Sequence, residues 1–313
     1  MRTAEEERQR LIGVAFGLAT FLFWGLAPIY FHVMSFVGPF ELLAHRVLWS
    51  AVVLAPLVAF ARSGRAVRSA LRDRRTLLAL GGSTLLISLN WLIFIIAIFA
   101  GRLLEVSLGY YLNPLINVLI ALIFLGERLS RLQWIGVTLA ALGVANLTLR
   151  YEGFPWISLG LALCFGFYGL IRKQTRLGPR DGLFLETLLM LPLALAFLIW
   201  LQLTGESSFL ASGSREKDLL IAASGIITAV PLIWFAAAAR RLAYATIGVM
   251  QYIAPTLHFL LAILVFGEDF TRVHAVTFTF IWLGVACFTL GSLDGFASRI
   301  ASRWLHKASQ GDA

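Results

Sequence analysis

The sequence predicts an all-α integral membrane protein: ten transmembrane helices arranged as two inverted five-helix repeats. Three observations carry that expectation. Over 313 residues the chain is 59% hydrophobic and only 14% charged, with a mean hydropathy of +0.83, whereas a soluble protein carries about 25% charged residues. The apolar residues fall in runs close to the ~20 residues that a helix needs to cross a bilayer. Helices and closed barrels are the two ways to satisfy a backbone in lipid, and these runs lack the alternation of barrel strands. Finally, the stretch from Tyr111 to Ala145 recurs at a shift of 141 positions. Tyr111, Pro114, Leu119, Ala121, Gly126, Glu127, Arg131, Thr138, Leu142, Gly143, Val144 and Ala145 meet Tyr252, Pro255, Leu260, Ala262, Gly267, Glu268, Arg272, Thr279, Leu283, Gly284, Val285 and Ala286 without a gap. Each copy reads as an apolar helix, a tight Gly-Glu turn and a second apolar helix, and such a repeat fixes architecture more firmly than any single motif.

In order, the spans are expected at Leu11–Phe31, Leu42–Ala61, Leu77–Ala100, Leu103–Leu125, Leu132–Leu149, Trp156–Ile171, Leu183–Leu203, Leu219–Ala239, Ala243–Phe266 and Val273–Leu293. The first run is too long for a signal-peptide core, and no small-x-small cleavage site follows it. Turn-forming residues punctuate the runs: Gly38-Pro39, Gly101-Arg102, Gly126-Glu127, Gly153-Phe154-Pro155, Gly178-Pro179 and Gly267-Glu268. Ser130 and Thr271 stand where they can cap the helices that follow these Gly-Glu turns. The longest connection, Thr204 to Asp218, is too short for a soluble domain. The two repeats then occupy residues 11–149 and 156–293, flanked by tails at 1–10 and 294–313.

Orientation follows from the basic residues. With the N-terminus in the cytoplasm, the inner segments hold 20 of the Lys and Arg residues, the outer ones hold 5, and Arg46 lies inside a span. Both termini are therefore expected inside the cytoplasmic (inner) membrane. Five spans per half force the second copy to run in the opposite sense, which is the inverted plan of many transporters, with a substrate site near mid-depth. The net charge of +9 is scattered through short loops, the densest stretch being Arg62 to Arg75. Anionic lipid heads explain such a face better than nucleic acid does. Cys164 and Cys287 both sit inside spans, which implies packing and no disulfide framework.

The run from Glu105 to Leu115, with Leu125-Gly126-Glu127-Arg128, resembles the RarD branch of the EamA-type drug/metabolite transporters. Phe23-Trp24-Gly25, His45 to Ser50, Asn90-Trp91-Leu92, Phe167 to Leu170, Glu186-Thr187, Gln251 to Thr256 and Phe280-Ile281-Trp282 share the resemblance, which spans nearly all of residues 11 to 293. It implies ten helices in two inverted repeats and movement of small metabolites or drugs. It leaves the cargo open, because the branch is named after a chloramphenicol phenotype.

Charged groups within spans are costly and mark function by default. Arg46 lies about 8 Å in from the outer end of its helix at 1.5 Å per residue, and it is expected to pair with Glu105 or Glu41. That pair is either a structural lock or part of an outer gate, or else Arg46 binds a carboxylate, for which its forked donors are suited. Glu186, near the inner end of the seventh span, either meets Arg172 or Lys173 or serves as a proton-coupling carboxylate. Tyr110, Asn113 and Asn117 share one face of the fourth span by their spacing. Gln251, Ala254 and His258 are their counterparts in the ninth, Tyr252 repeats Tyr111, and both stripes surround a mid-span proline, Pro114 or Pro255. The stripes are expected to face a common cavity, the alternative being interhelical hydrogen bonds alone. Trp24, Trp91, Tyr168 and Trp234 line an aromatic pocket or simply pack the core, whereas Trp49, Trp156 and Trp200 stand nearer the membrane interfaces.

No second histidine stands at metal-ligand spacing from His258, so no metal site is expected. No Gly-x-x-x-x-Gly-Lys-Ser/Thr loop occurs, so ATP hydrolysis is excluded and no cofactor is implied. The expectation is a secondary transporter for small molecules rather than an enzyme. A passive channel is the alternative, and an intramembrane lipid-modifying enzyme stands behind it because no His-Glu-x-x-His pair or clustered acidic and histidine face is present.

Overall fold

The structure, a computed structural model, describes residues 4–310 apart from 61–63, 127–128, 151–153, 176, 178, 212 and 243. The expected turns at Glu127, Gly153 and Gly178 fall on residues outside that description, as does the side chain of Lys173. The described residues form helices and turns, with no strand among them. The helices are α1 (Ala4–Val33), α2 (Pro39–Phe60), α3 (Gly64–Arg72), α4 (Arg74–Phe99), α5 (Leu103–Leu125), α6 (Arg131–Arg150), α7 (Trp156–Gln174), α8 (Pro179–Thr204), α9 (Arg215–Ala239), α10 (Tyr244–Met250), α11 (Ile253–Leu264) and α12 (Arg272–Gln310). Among them eight segments are long and apolar enough to cross a membrane: those in α1, α4, α5, α6, α8, α9 and α12, and Thr246–Leu264 across α10 and α11. The segment Trp156–Arg172 of α7 is a shorter apolar helix.

The helices are built for lipid, with apolar residues outward and polar ones inward. On α4, Leu78, Leu85 and Leu89 are exposed while Ser83, Thr84, Ser88 and Asn90 are buried. In water such an apolar exterior would drive aggregation; against lipid tails it is neutral, and the interior polar groups find partners across helices. Asn90 Nδ2 donates to the Leu161 carbonyl at 3.0 Å, joining α4 to α7. Asn146 Nδ2 donates to Thr277 Oγ1 at 2.9 Å, joining α6 to α12.

Helix starts follow local chemistry. Asp73 caps α4 by accepting from the Arg75 and Thr76 amides at 3.2 and 3.3 Å. Ser130 and Gln133 cap α6 reciprocally, with Ser130 N–H donating to Gln133 Oε1 at 2.8 Å and Gln133 N–H to Ser130 Oγ at 3.3 Å. Their counterparts at the 141 shift, Thr271 and His274, do the same for α12.

Two features differ from the sequence expectation. The basic stretch after α2 contains a short helix, α3, whose Ala70 is buried with Leu80 of α4 and Leu185 of α8. The expected ninth span is broken into α10 and α11 at Gln251 and Tyr252. Pro255 has no N–H to give the Gln251 carbonyl, and its ring crowds that carbonyl. The chain tightens there instead, with Tyr252 N–H donating to the Val249 carbonyl at 3.3 Å. Pro114, its counterpart, lies within an unbroken α5.

Candidate functional site

Six helices converge on Arg46. It leaves α2 one turn below Leu42 and is 6% exposed. Its guanidinium lies 4.6 Å from the Trp91 ring of α4 and 4.9 Å from the Phe31 ring of α1. Its Nε donates to Thr228 Oγ1 of α9 at 3.2 Å, and Thr228 in turn donates to the Ser224 carbonyl one turn back. The hydroxyls of Tyr30 and Tyr110 are within electrostatic range. Tyr110 of α5 meets the His258 ring of α11 at 5.5 Å, and Phe94 of α4 meets it at 5.9 Å. His258 Nε2 donates to the Trp24 carbonyl at 3.1 Å. A carbonyl oxygen accepts only, so Nε2 carries a proton; Nδ1 is buried without a partner. Arg46 Nη1 is likewise buried without a hydrogen bond.

The expected pairing of Arg46 with Glu105 or Glu41 is overturned. Glu105 Oε1 is taken by Arg102, whose Nη2 and Nε lie at 2.5 and 2.6 Å. Arg102 stands three residues before it at the helix start, the spacing at which helical neighbours meet. Glu41, 5% exposed, accepts from Ser208 N–H at 2.7 Å, Ser208 Oγ at 2.9 Å and Ser207 Oγ at 3.2 Å. His45 Nε2 adds a longer contact at 3.8 Å. That connection carries Phe209 onto the rings of His45 and Trp49, at 5.0 and 6.0 Å. Trp49 is half-buried there, with its indole N–H enclosed and without a hydrogen-bond partner.

Toward the other end of the bundle, Glu186 is 2% exposed. It accepts from Ser83 Oγ at 2.6 Å and Tyr168 OH at 3.3 Å, and Arg172 Nε stands 3.7 Å away. Val47, Thr84, Ser88, Trp91, Thr187 and Glu186 line a small gap between α2, α4 and α8, with room for no more than about one water.

The remaining expected residues divide. Trp91, Tyr110 and His258 join Arg46. Trp24 contributes its carbonyl there, while its ring packs on Phe21 and Phe235. Asn113 is buried with Oδ1 unpartnered. Asn117 is exposed, near Gly166 of α7. Gln251 lies in the helix break, and Tyr252 stacks on Tyr111 away from Arg46. Among the described residues no group of three His, Cys, Asp or Glu is placed to hold a metal ion.

Sequence reasoning missed Thr228, Phe31, Phe209 and the role of Glu268. Thr228 had a signal, a Ser-Thr pair four apart in an apolar helix. Phe209 had none, because its connection has no periodicity. Glu268 was read as part of a turn; its carboxylate instead accepts from the Leu103 and Leu104 amides at 2.5 and 2.8 Å, capping α5 from the opposite half.

Comparison with known proteins fits this arrangement. Residues 11–149 match the EamA-like transporter family. The chain is 45% identical to an uncharacterized transporter of Vibrio cholerae over 93% of this chain and 95% of that one. It is 40% identical to the protein RarD of Escherichia coli K12 over 93% and 97%. A crystal structure with 22% sequence identity superposes with a TM-score of 0.58, covering 90% of this chain and 98% of the other, which supports the fold alone.

Proposed function

Since the chain belongs to the RarD group of the EamA-like transporter family, we propose that it is a secondary transporter that moves small organic metabolites or drugs across the cytoplasmic membrane by alternating access. The carrying observation is Arg46. A buried cation with an unpartnered donor sits where α1, α2, α4 and α5 of one half meet α9 and α11 of the other. A buried charge is costly unless something compensates it, and a site between halves is where a cargo would sit if they rock against each other.

The packing supports ten spans in two inverted halves. Exchanging the halves turns the pair α5–α7 into α11–α1, α4–α7 into α9–α1, and α2–α9 into α8–α4, and all of these pairs are in contact. The pairs α2–α8, α6–α12 and α5–α11 map onto themselves. Five spans per half make the relation an inversion, with both termini in the cytoplasm. Glu186, a buried carboxylate held by Ser83, Tyr168 and Arg172, is the residue suited to couple transport to protons.

Counterflow in proteoliposomes tests the reading. Purified protein is screened for ligands that raise its melting temperature among amino acids, nucleosides, aryl acids and drugs, and hits are then loaded inside vesicles. Saturable uptake driven by counterflow is expected; flux without saturation or counterflow would mean a passive pore. Tags that place the two termini on opposite faces would rule out the inverted plan.

A further inference from the structure

We infer that the cargo is an organic monocarboxylate with a flat aromatic body, held by Arg46 in a slot of rings. This rests on the reading of the Arg46 region as the transport site. The reasoning starts from charge. No carboxylate among the described residues is within ion-pair reach of Arg46, and the acidic groups nearest in the fold are engaged elsewhere: Glu41 by Ser207 and Ser208, Glu105 by Arg102, Glu186 by Ser83, Tyr168 and Arg172. Removing a guanidinium from water without an anion is costly. The ring contacts offset part of that through cation–π attraction. A threonine hydroxyl satisfies Nε and leaves Nη1 bare. The missing partner is an anion that enters from outside the chain.

Shape and charge narrow its class. Trp91 and Phe31 stand against the guanidinium at 4.6 and 4.9 Å, so an anion reaches Nη1 along the guanidinium plane and between rings. Carboxylates suit that approach, since the planar fork of arginine matches two coplanar oxygens. His258 spends its Nε2 proton on the Trp24 carbonyl and packs on Tyr110, so the guanidinium is the cation that meets the cargo, which favours a monoanion over a phosphate dianion. Near Arg46, Phe94 packs on Phe31 and Tyr110, and Tyr30 packs on Phe31, so a flat apolar body entering here would stack among aromatic rings.

The test uses the full chain in detergent. Melting curves are recorded with benzoate, 3-phenylpropionate and indole-3-acetate, each beside its primary amide, and with acetate and chloride. The aryl acids are expected to raise the melting temperature with affinities at least about tenfold above those of the amides and acetate, the discrimination of a site built for a charged partner. Arg46→Lys keeps the charge and loses the fork, and is expected to weaken the acids about tenfold or more. Trp91→Leu keeps an apolar side chain and is expected to weaken the aryl acids more than acetate. Acids and amides that bind alike, chloride that matches the acids, or a Trp91→Leu protein with unaltered affinities would each overturn the inference. Counterflow separates this from the transporter reading. Aryl acids that bind and are not carried refute transport and keep the carboxylate site. Counterflow of uncharged compounds with no binding of any acid keeps transport and refutes the carboxylate site.

Discussion

Tyr111 and Tyr252 stack with ring centroids 6.1 Å apart and planes 20° from parallel. They are the same position of the two repeats, so the relation between the halves passes between these rings. The α6–α12 seam repeats the geometry. A Cβ on Gly284 would lie 2.7 Å from the Gly136 carbonyl oxygen, and one on Gly143 would lie 3.1 Å from that of Thr277. At the 141 shift, Gly143 is the mate of Gly284 and Gly136 that of Thr277. Small residues let the two backbones approach as membrane helices do.

Gly284→Leu therefore forces α6 and α12 apart, because backbone atoms cannot step aside as a side-chain tip can. The expected loss is about 1–3 kcal/mol, the usual cost of overpacking. Leu283, 52% exposed on the same helix, provides the contrast: Leu283→Ala should change stability by no more than about 0.5 kcal/mol. Unfolding in mixed micelles measures both.

At the start of α5 the Glu268 carboxylate sets a pH dependence. Burial raises its carboxyl above the usual carboxylate value, and Glu105 nearby adds to the rise; the Leu103 and Leu104 amides and Arg102 oppose it. A folded-state value above the unfolded one means that the folded protein binds the proton more tightly. Stability from this group is thus present at low pH and is lost as pH rises through the raised value. As pH rises above the usual carboxylate value of about 4, Glu268→Gln is expected to flatten that decline in melting temperature. A variant whose curve stays parallel to the parent's would remove Glu268 as its source.

Glu41 fastens the connection that lays Phe209 on His45 and Trp49. Glu41→Gln exchanges a charge-assisted set of hydrogen bonds for a neutral one, a loss of roughly 1.5–3 kcal/mol at the upper range for charged partners. Amide hydrogen exchange at Ser208 and Phe209 should then speed up about tenfold or more, while exchange in α12 stays as it was. Equal rates in parent and variant would show that the fastening lies elsewhere.

How far the sequence was legible depends on which physical signal each residue left. A charge in an apolar run is visible, so Arg46, Glu105 and Glu186 stood out. Depth along a helix follows from residue count, and the Ser130 and Thr271 caps follow from local spacing. Azimuth and rotamer do not, which is why Arg46 was assigned a carboxylate and instead faces Trp91 and Phe31. Both choices satisfy the depth of Arg46; only the packing of α1 against α4 decides between them. The break at Gln251 shows the same limit. Pro114 and Pro255 each follow a shared tyrosine by three positions, yet one helix runs through its proline and the other parts, so the proline alone does not decide the break. Glu268 was conspicuous as a repeated residue, but a cap that reaches α5 across more than 160 positions leaves no local trace.

Glu186 offers the clearest division between a structural ion pair and a coupling role. Its carboxylate is shared among Ser83, Tyr168 and Arg172, and it lines the small gap that Trp91 also lines. A carboxylate so placed can hand its partners between a charged and a protonated form as the site opens inward. Gln keeps the shape and can still accept from Ser83 and Tyr168, yet carries no titratable proton. Glu186→Gln is therefore expected to retain counterflow at near the parent rate and to lose accumulation driven by an imposed pH gradient. Arg172→Gln removes the ion pair and keeps the proton, and should preserve that accumulation with a lower melting temperature. If Glu186→Gln still accumulates cargo against a pH gradient, or if it loses counterflow and accumulation together along with its fold, Glu186 is a strut between α4, α7 and α8 and couples nothing.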